Sequence, residues 1–316
     1  MRLELQTSLL CMLAALIASP LVLGLLARAQ SKQKISEHVP EHAAKQGTPT
    51  MGGIIILIGL IPALIFLPSG ELTTPLVLLL GFALIGFLDD FIVPKLLTHT
   101  RGLGWKEKFG LQILVAAGAY WIGGVRDIGA LAFLTFFILF FSNAYNFSDG
   151  MDALAGGLLV MLAVGFAVIG FVAMRPAEFA PVALIAAGLV GATIPFLFLN
   201  APPAKVFMGD VGALPLGALL GWMFLEVGKS SDLVVNNANL IAAIIVSGVL
   251  IAELVPVPLQ IASVKLRKGK RLFPRTPIHH AFEHAGWPET RVVWSFHLVQ
   301  AVLLLIAATI VVSGVL

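Results

Sequence analysis

The chain alternates long apolar runs with short polar ones. Ten runs approach the roughly 20 mostly apolar residues that a membrane-spanning helix needs. They cover residues 8–27, 52–68, 75–90, 109–124, 129–145, 153–173, 180–199, 211–226, 238–262 and 291–315. The eighth is short and has to lean on its neighbours. The ninth contains Pro256 and Pro258, which remove backbone donors and predict a kink or break. No internal repeat or low-complexity segment stands out. The expected architecture is all-α, a polytopic membrane protein of about ten transmembrane helices forming one domain over residues 1–316.

Composition agrees with this pattern. Of 316 residues, 59% are hydrophobic and 12% charged, against about 25% charged in a soluble domain. The one cysteine, Cys11, lies in the first apolar run, so no internal disulfide can form and a packing role is expected. That first run has no clear cleavage site and precedes many similar runs, which marks a span rather than a signal peptide.

The net charge of +3 says less than its distribution. Loops following odd-numbered runs hold 16 of the 20 Lys and Arg residues, and Arg2, Arg126, Arg175 and Lys229 lie on the other side. The positive-inside rule then places both termini outside and the odd loops in the cytoplasm. The polar motifs fall on that same side. They are KQGTPTMGG (45–53), GFLDD (86–90), SNAYNFSDGMDALAGG (142–157), NAPPAKVFMGDVGAL (200–214) and PIHHAFEHAGWPETR (277–291). Such a one-sided concentration predicts a site open to a water-soluble ligand in the cytoplasm.

Each motif carries a local reading beside a functional one. Asp89 and Asp90 end the third run, where carboxylates oppose the helix dipole and face the anionic leaflet. Like charges this close need a cation or a proton, and Mg²⁺ is one such cation. Asn143, Asn146, Asp149 and Asp152 recur every three residues. Gly150 predicts a helix break among them, with Ser148 or Asp149 as N-cap of the next helix and Asp152 in its first turn. Capping leaves the two asparagines unexplained. Asp210 opens the eighth run as an N-cap, as a metal ligand bridging to a phosphate, or both. His279 and His280 point about 100° apart on a helix, which suits an anion or an interfacial position better than one zinc ion. The run KLRKGKR (265–271) reads as a topology anchor and lipid-headgroup contact. There is no G-x-x-x-x-G-K-[ST], G-x-S-x-G or H-E-x-x-H motif, and nothing points to nucleic acid.

In order and spacing, KQGTPTMGG, GFLDD, NFSDGMDALAGG, NAPPAKVFMGDVG and PIHHAFE…GWPE resemble the phospho-N-acetylmuramoyl-pentapeptide transferases, a branch of the polyprenyl-phosphate sugar-1-phosphate transferases. The likeness runs from about Lys45 to Arg291, and the block ending in GWPE favours the muramoyl branch. It implies transfer of a phospho-sugar from UDP-N-acetylmuramoyl-pentapeptide to undecaprenyl phosphate, giving lipid I and UMP with Mg²⁺, in a homodimer of the bacterial inner membrane. It also implies roles by position. Asp89, with Asp90 beside it, serves the lipid phosphate, and Asp210 holds Mg²⁺. Asn146, Asp149 and His279 are polar positions of the catalytic cleft. Lys45, Thr50, Asn143, Asp152, Asn200, Phe207, Gln260 and His280 lie around the donor. The chain departs from the family's usual residues at Ala213, Pro274 and Ala281. Two rival readings are a sibling transferase using UDP-N-acetylglucosamine and an ion-coupled transporter, for which Glu253 beside Pro256 is the best residue.

Overall fold

The computed structural model describes residues 2–29, 47–97, 102–173, 176–229 and 233–313. Its regular elements, among the described residues, are helices. In chain order they are α1 (Arg2–Ala29), α2 (Gly53–Gly59), α3 (Ile61–Phe66), α4 (Ser69–Phe87), a π-helical turn (Leu88–Ile92), α5 (Val93–Leu96), α6 (Trp105–Ile122), α7 (Ile128–Ser148), α8 (Leu154–Ala173), α9 (Pro176–Asn200), α10 (Asp210–Val227), α11 (Leu233–Val246), α12 (Gly248–Leu254), α13 (Pro256–Leu266), α14 (Ile278–His284) and α15 (Glu289–Ser313). Eight stretches among the described residues are long and apolar enough to cross a membrane, and Gly53–Phe66 and Asn237–Val246 are shorter apolar helices.

Every expected span has a helical counterpart, with four refinements: the second is split at Leu60 into α2 and α3, and three others differ as follows. The fourth is α6, which begins earlier than predicted and carries Lys106, Glu107 and Lys108 in its first turn. The third does not end at its carboxylates. Ser69–Leu96 continues through the π-helical turn that contains Asp89 and Asp90, so these residues are not at a helix C-terminus. The ninth is broken twice, before Pro256 as expected and also at Ser247. On α15, Gln300 Nε2 donates to the carbonyl of Val246 beside that second break, at 2.8 Å. Away from water, a backbone group freed by a break needs such a partner.

The bundle is built around α10, in which 16 of 18 residues are buried. A helix apolar on every face belongs in the middle of a bundle, and α10 packs chiefly on α7 and α4. Its GALLG segment (217–221) sets Gly217 and Gly221 against the backbone of Phe141 and Ser142 and of Phe137 and Ile138 on α7, the close small-residue contact typical of membrane helices. Outer helices show the reverse pattern. Leu5, Ile17, Leu21 and Leu25 on α1 and Trp294, Leu298 and Leu305 on α15 are largely exposed, as a lipid-facing surface requires. Cys11 is fully buried, as expected of a packing residue.

Candidate active site

Close backbone packing brings the carboxylates together. At Gly86, α4 lies so near the start of α10 that a Cβ there would overlap the backbone of Asp210 and Val211. This contact sets the π-helical turn, which starts two residues on, beside the N-terminus of α10. Gly209, with φ +72°, is the residue before α10, and a Cβ on it would strike Asp90 Oδ2 and Thr50 Oγ1. A glycine is required there both for the left-handed backbone and for the space. The segment 49–53 is pinned alongside, with Phe207 N–H donating to Pro49 O (2.9 Å) and Gly52 N–H to Phe207 O (2.7 Å).

Asp89, Asp90 and Asp210 each offer an oxygen within 4.8 Å of the others. Their partners differ. Asp89 Oδ1 accepts from Leu103 N–H (2.6 Å), and Asp89 Oδ2 faces Lys108 Nζ at 3.1 Å. Asp90 Oδ2 accepts from Val211 N–H at 3.0 Å, so a carboxylate from another helix caps α10, where negative charge meets the favourable end of the dipole. Asp210 therefore does not act as the N-cap. Gly209 holds that place without a side-chain bond. Instead Asp210 Oδ1 accepts from Asn146 Nδ2 (2.7 Å), and Asp210 Oδ2 pairs with Lys108.

One turn from Asn146, Asn143 Nδ2 donates to Gln112 Oε1 and to Leu139 O, each at 2.8 Å. The chain breaks at Gly150 as expected, but the predicted caps are not used. Ser148 Oγ donates back to Ala144 O, and Asp152 precedes α8 rather than entering its first turn. Asp149 closes α7, and its carboxylate accepts from the backbone of Gly209. Burial, followed by the charges of Asp210 and Asp90, holds Asp149 well above the usual carboxylate range.

Asp152 and Asn200 tie the neighbouring loops together. Asp152 Oδ2 accepts from Ala204 N–H (3.0 Å) and Asp152 N–H donates to Glu289 Oε1 (2.8 Å). Asn200 Oδ1 accepts from Ala153 N–H (2.8 Å), while its Nδ2 donates to Val206 O (2.9 Å). Gln260 organises the basic segment after α13 by accepting from Leu272 and Phe273 N–H and donating to Phe273 O.

The two histidines part company. His279 is fully buried, its N–H (3.1 Å) and Nδ1 (2.6 Å) both on Glu253, while its Nε2 abuts Gly150 and has no hydrogen-bond partner. His280 faces Glu283 instead, at 3.1 Å. Lys45 and Arg101 lie outside the described residues.

Asp89, Asp90, Asn146, Asp149, Asp210 and Thr50 thus meet at one end of the bundle, with Asn143 a turn away. Asp152 and Asn200 border this group, and Gln260 and His280 belong to the segments around α13 and α14. Sequence reasoning missed Lys108, Gln112 and Glu289 as parts of the site. Lys108 had left a signal, because a cation in a helix's first turn opposes the dipole and calls for a carboxylate partner.

Comparison with known proteins adds an independent line. A family profile described as glycosyl transferase family 4 matches residues 72–228. Phospho-N-acetylmuramoyl-pentapeptide-transferase signature 1 matches residues 45–57. Proteins named phospho-N-acetylmuramoyl-pentapeptide-transferase are similar along nearly their whole length. That of Moorella thermoacetica is 36% identical over 92% of this chain and 94% of its own. That of Pelotomaculum thermopropionicum is 37% identical over 90% and 92%, and that of Clostridioides difficile 36% over 94% of each.

Proposed function

Because this chain belongs to the phospho-N-acetylmuramoyl-pentapeptide-transferase family, we propose that it moves phospho-N-acetylmuramoyl-pentapeptide from UDP to undecaprenyl phosphate, giving lipid I and UMP. The observation that carries this reading is the convergence of the motif residues on one acidic centre at one end of a membrane bundle. Because 16 of 20 basic residues follow the odd-numbered apolar runs in the sequence, the centre is assigned to the cytoplasmic side and both termini to the outside. The setting is the bacterial inner membrane, and the active form is a homodimer.

The donor set fits Mg²⁺. Asp89, Asp90 and Asp210 are hard oxygen ligands within 4.8 Å of one another, and Mg²⁺ is commonly held by one or two carboxylates together with substrate phosphates. Asp210 would be its principal ligand, with the other two beside it. When bound, Mg²⁺ neutralises the diphosphate and eases departure of UMP.

The remaining steps belong to the chain. Asn146 fixes Asp210 through its 2.7 Å bond. Asp90 holds the start of α10 in place by capping Val211. Asp89 orients the lipid phosphate and accepts its proton where one remains. Asp149, its pKa raised by burial and its acidic neighbours, borders the centre at the end of α7. By motif position, Thr50, Asn143, Asp152, Asn200, Phe207, Gln260, His280 and Lys45 serve the donor, and His279 supports the turn at Gly150. Phosphoryl transfer asks mainly for such positioning and charge neutralisation.

The signature over residues 45–57 favours the muramoyl branch over the UDP-N-acetylglucosamine sibling. The transporter reading rested on Glu253, which the structure engages with His279 in a fully buried pair. The test incubates purified protein with Mg²⁺, undecaprenyl phosphate and either UDP-sugar. Lipid I and UMP should form with the muramoyl donor. UMP from neither donor would refute the enzyme, and turnover only with UDP-N-acetylglucosamine would move it to the sibling branch.

A further inference from the structure

Among the described residues, the acidic centre contains one cation of its own. Lys108 Nζ lies on both Asp89 Oδ2 (3.1 Å) and Asp210 Oδ2. These three side chains are only 16–20% exposed, so water screens them poorly. Three of the other four oxygens are engaged as well. Asp89 Oδ1 holds Leu103 N–H, Asp210 Oδ1 holds Asn146, and Asp90 Oδ2 holds Val211 N–H. Three carboxylates so close would repel one another strongly without a counter-charge. The ammonium group supplies that charge from the position between Asp89 and Asp210 that a divalent ion would fill.

We infer that Lys108 is a built-in competitor for the metal, holding the acidic centre together when no metal is bound and yielding Asp89 Oδ2 and Asp210 Oδ2 before either can ligate one. This rests on the Mg²⁺ reading of Asp210 given above. Lys108 is then a positioning residue. It keeps the carboxylates converged and sets the metal affinity below what their geometry alone would allow. A compact ammonium on a flexible stem is suited to such an exchange, since it can swing away without moving its helix.

The experiment titrates Mn²⁺ into the purified full-length protein in detergent and follows binding by electron paramagnetic resonance, a readout independent of turnover. Lys108→Met and Lys108→Gln should bind Mn²⁺ roughly ten- to a hundredfold more tightly than the wild type, the range expected from removing a charge-assisted pair. Lys108→Arg, which keeps the cation, should stay within a few-fold. Asp210→Asn should abolish the site in both the wild-type and Lys108→Met backgrounds. If neither neutral variant binds more tightly while Asp210→Asn still abolishes binding, the competition is refuted and the metal site stands. If Asp210→Asn leaves Mn²⁺ binding unchanged, or no protein binds Mn²⁺, the metal reading fails and the inference with it. Thermal unfolding of each variant checks folding, and Lys108→Gln decides the matter if Lys108→Met does not fold.

Discussion

The approach of α4 to α10 at Gly86 makes a sharp prediction. A Cβ at this position would lie well under 3.0 Å from the backbone of Asp210 and Val211. Non-bonded carbons settle at about 3.5–4.0 Å, so Gly86→Ala has to push the two helices apart by about 1 Å. The atoms met are backbone, which cannot rotate aside as a side-chain tip could. Overpacking of this kind costs about 1–3 kcal/mol. The site should suffer more than the fold, because Asp89 and Asp90 follow Gly86 by one turn and Asp210 is the residue struck. A misplacement of about 1 Å can cost about a hundredfold in rate. Gly118→Ala is the matched control. It lies in α6 with nothing within 4 Å of a Cβ, so alanine should be neutral or stabilise by up to about 1 kcal/mol through helix propensity. Thermal unfolding in detergent and UMP release report the two effects. Full activity and an unchanged Tm for Gly86→Ala would refute the claim that this contact sets the spacing of the carboxylates.

Three further outcomes follow from individual contacts. Asp210→Asn should lower UMP release by at least about a hundredfold with little change in Tm, and near-normal turnover would remove Asp210 from the centre. Glu253→Ala strands two buried donors of His279, at about 1–3 kcal/mol each, so its Tm should fall clearly while Glu253→Gln, which keeps an acceptor, loses less; equal melting of both variants would argue against the pair. Asp149 has a folded-state pKa above its unfolded value, so its contribution is full below the unfolded pKa of about 3.9 and is lost as pH rises toward the folded pKa. Asp149→Asn, which cannot ionise, should therefore gain stability relative to wild type as pH rises from about 4 to neutrality, and parallel Tm profiles would contradict the shift.

The helices were legible because lipid demands long apolar runs, and the break before Pro256 because proline lacks a donor. The second break, at Ser247, left no such mark. Its neighbouring carbonyl is met by Gln300, 54 residues away, and a single polar residue in a tenth span does not announce which carbonyl it serves. The same limit applies at the site. The motifs placed Asp89, Asp90, Asn146 and Asp210 on one side of the membrane, but not which of them would touch. Capping rules assigned Ser148, Asp149 and Asp210 to local work. The structure gives the N-terminus of α10 to Asp90, 121 residues earlier in the chain, because tertiary packing brings in an acceptor that local rules cannot see.

The adjacent pair Asp89–Asp90 shows what that packing accomplishes. Consecutive residues on a helix diverge by about 100°, so two neighbouring carboxylates can each reach a different partner. Here the divergence is used. Asp89 turns to Leu103 just before α6 and to Lys108 in its first turn, and Asp90 turns to the amide of Val211 at the start of α10. The pair lies in a π-helical turn, a device often found at functional sites, and α4 resumes as α5 beyond it. Each carboxylate thus meets a different positive element, one an ammonium and the other a helix N-terminus. This answers how two acids persist at the edge of an apolar helix. It also makes the two inequivalent, because Asp89 meets a side chain, Lys108, as well as the backbone of Leu103, while Asp90 Oδ2 meets the backbone of Val211. On the proposed function, the bond from Lys108 is accordingly the one Asp89 would exchange, while Asp90 keeps α10 in register.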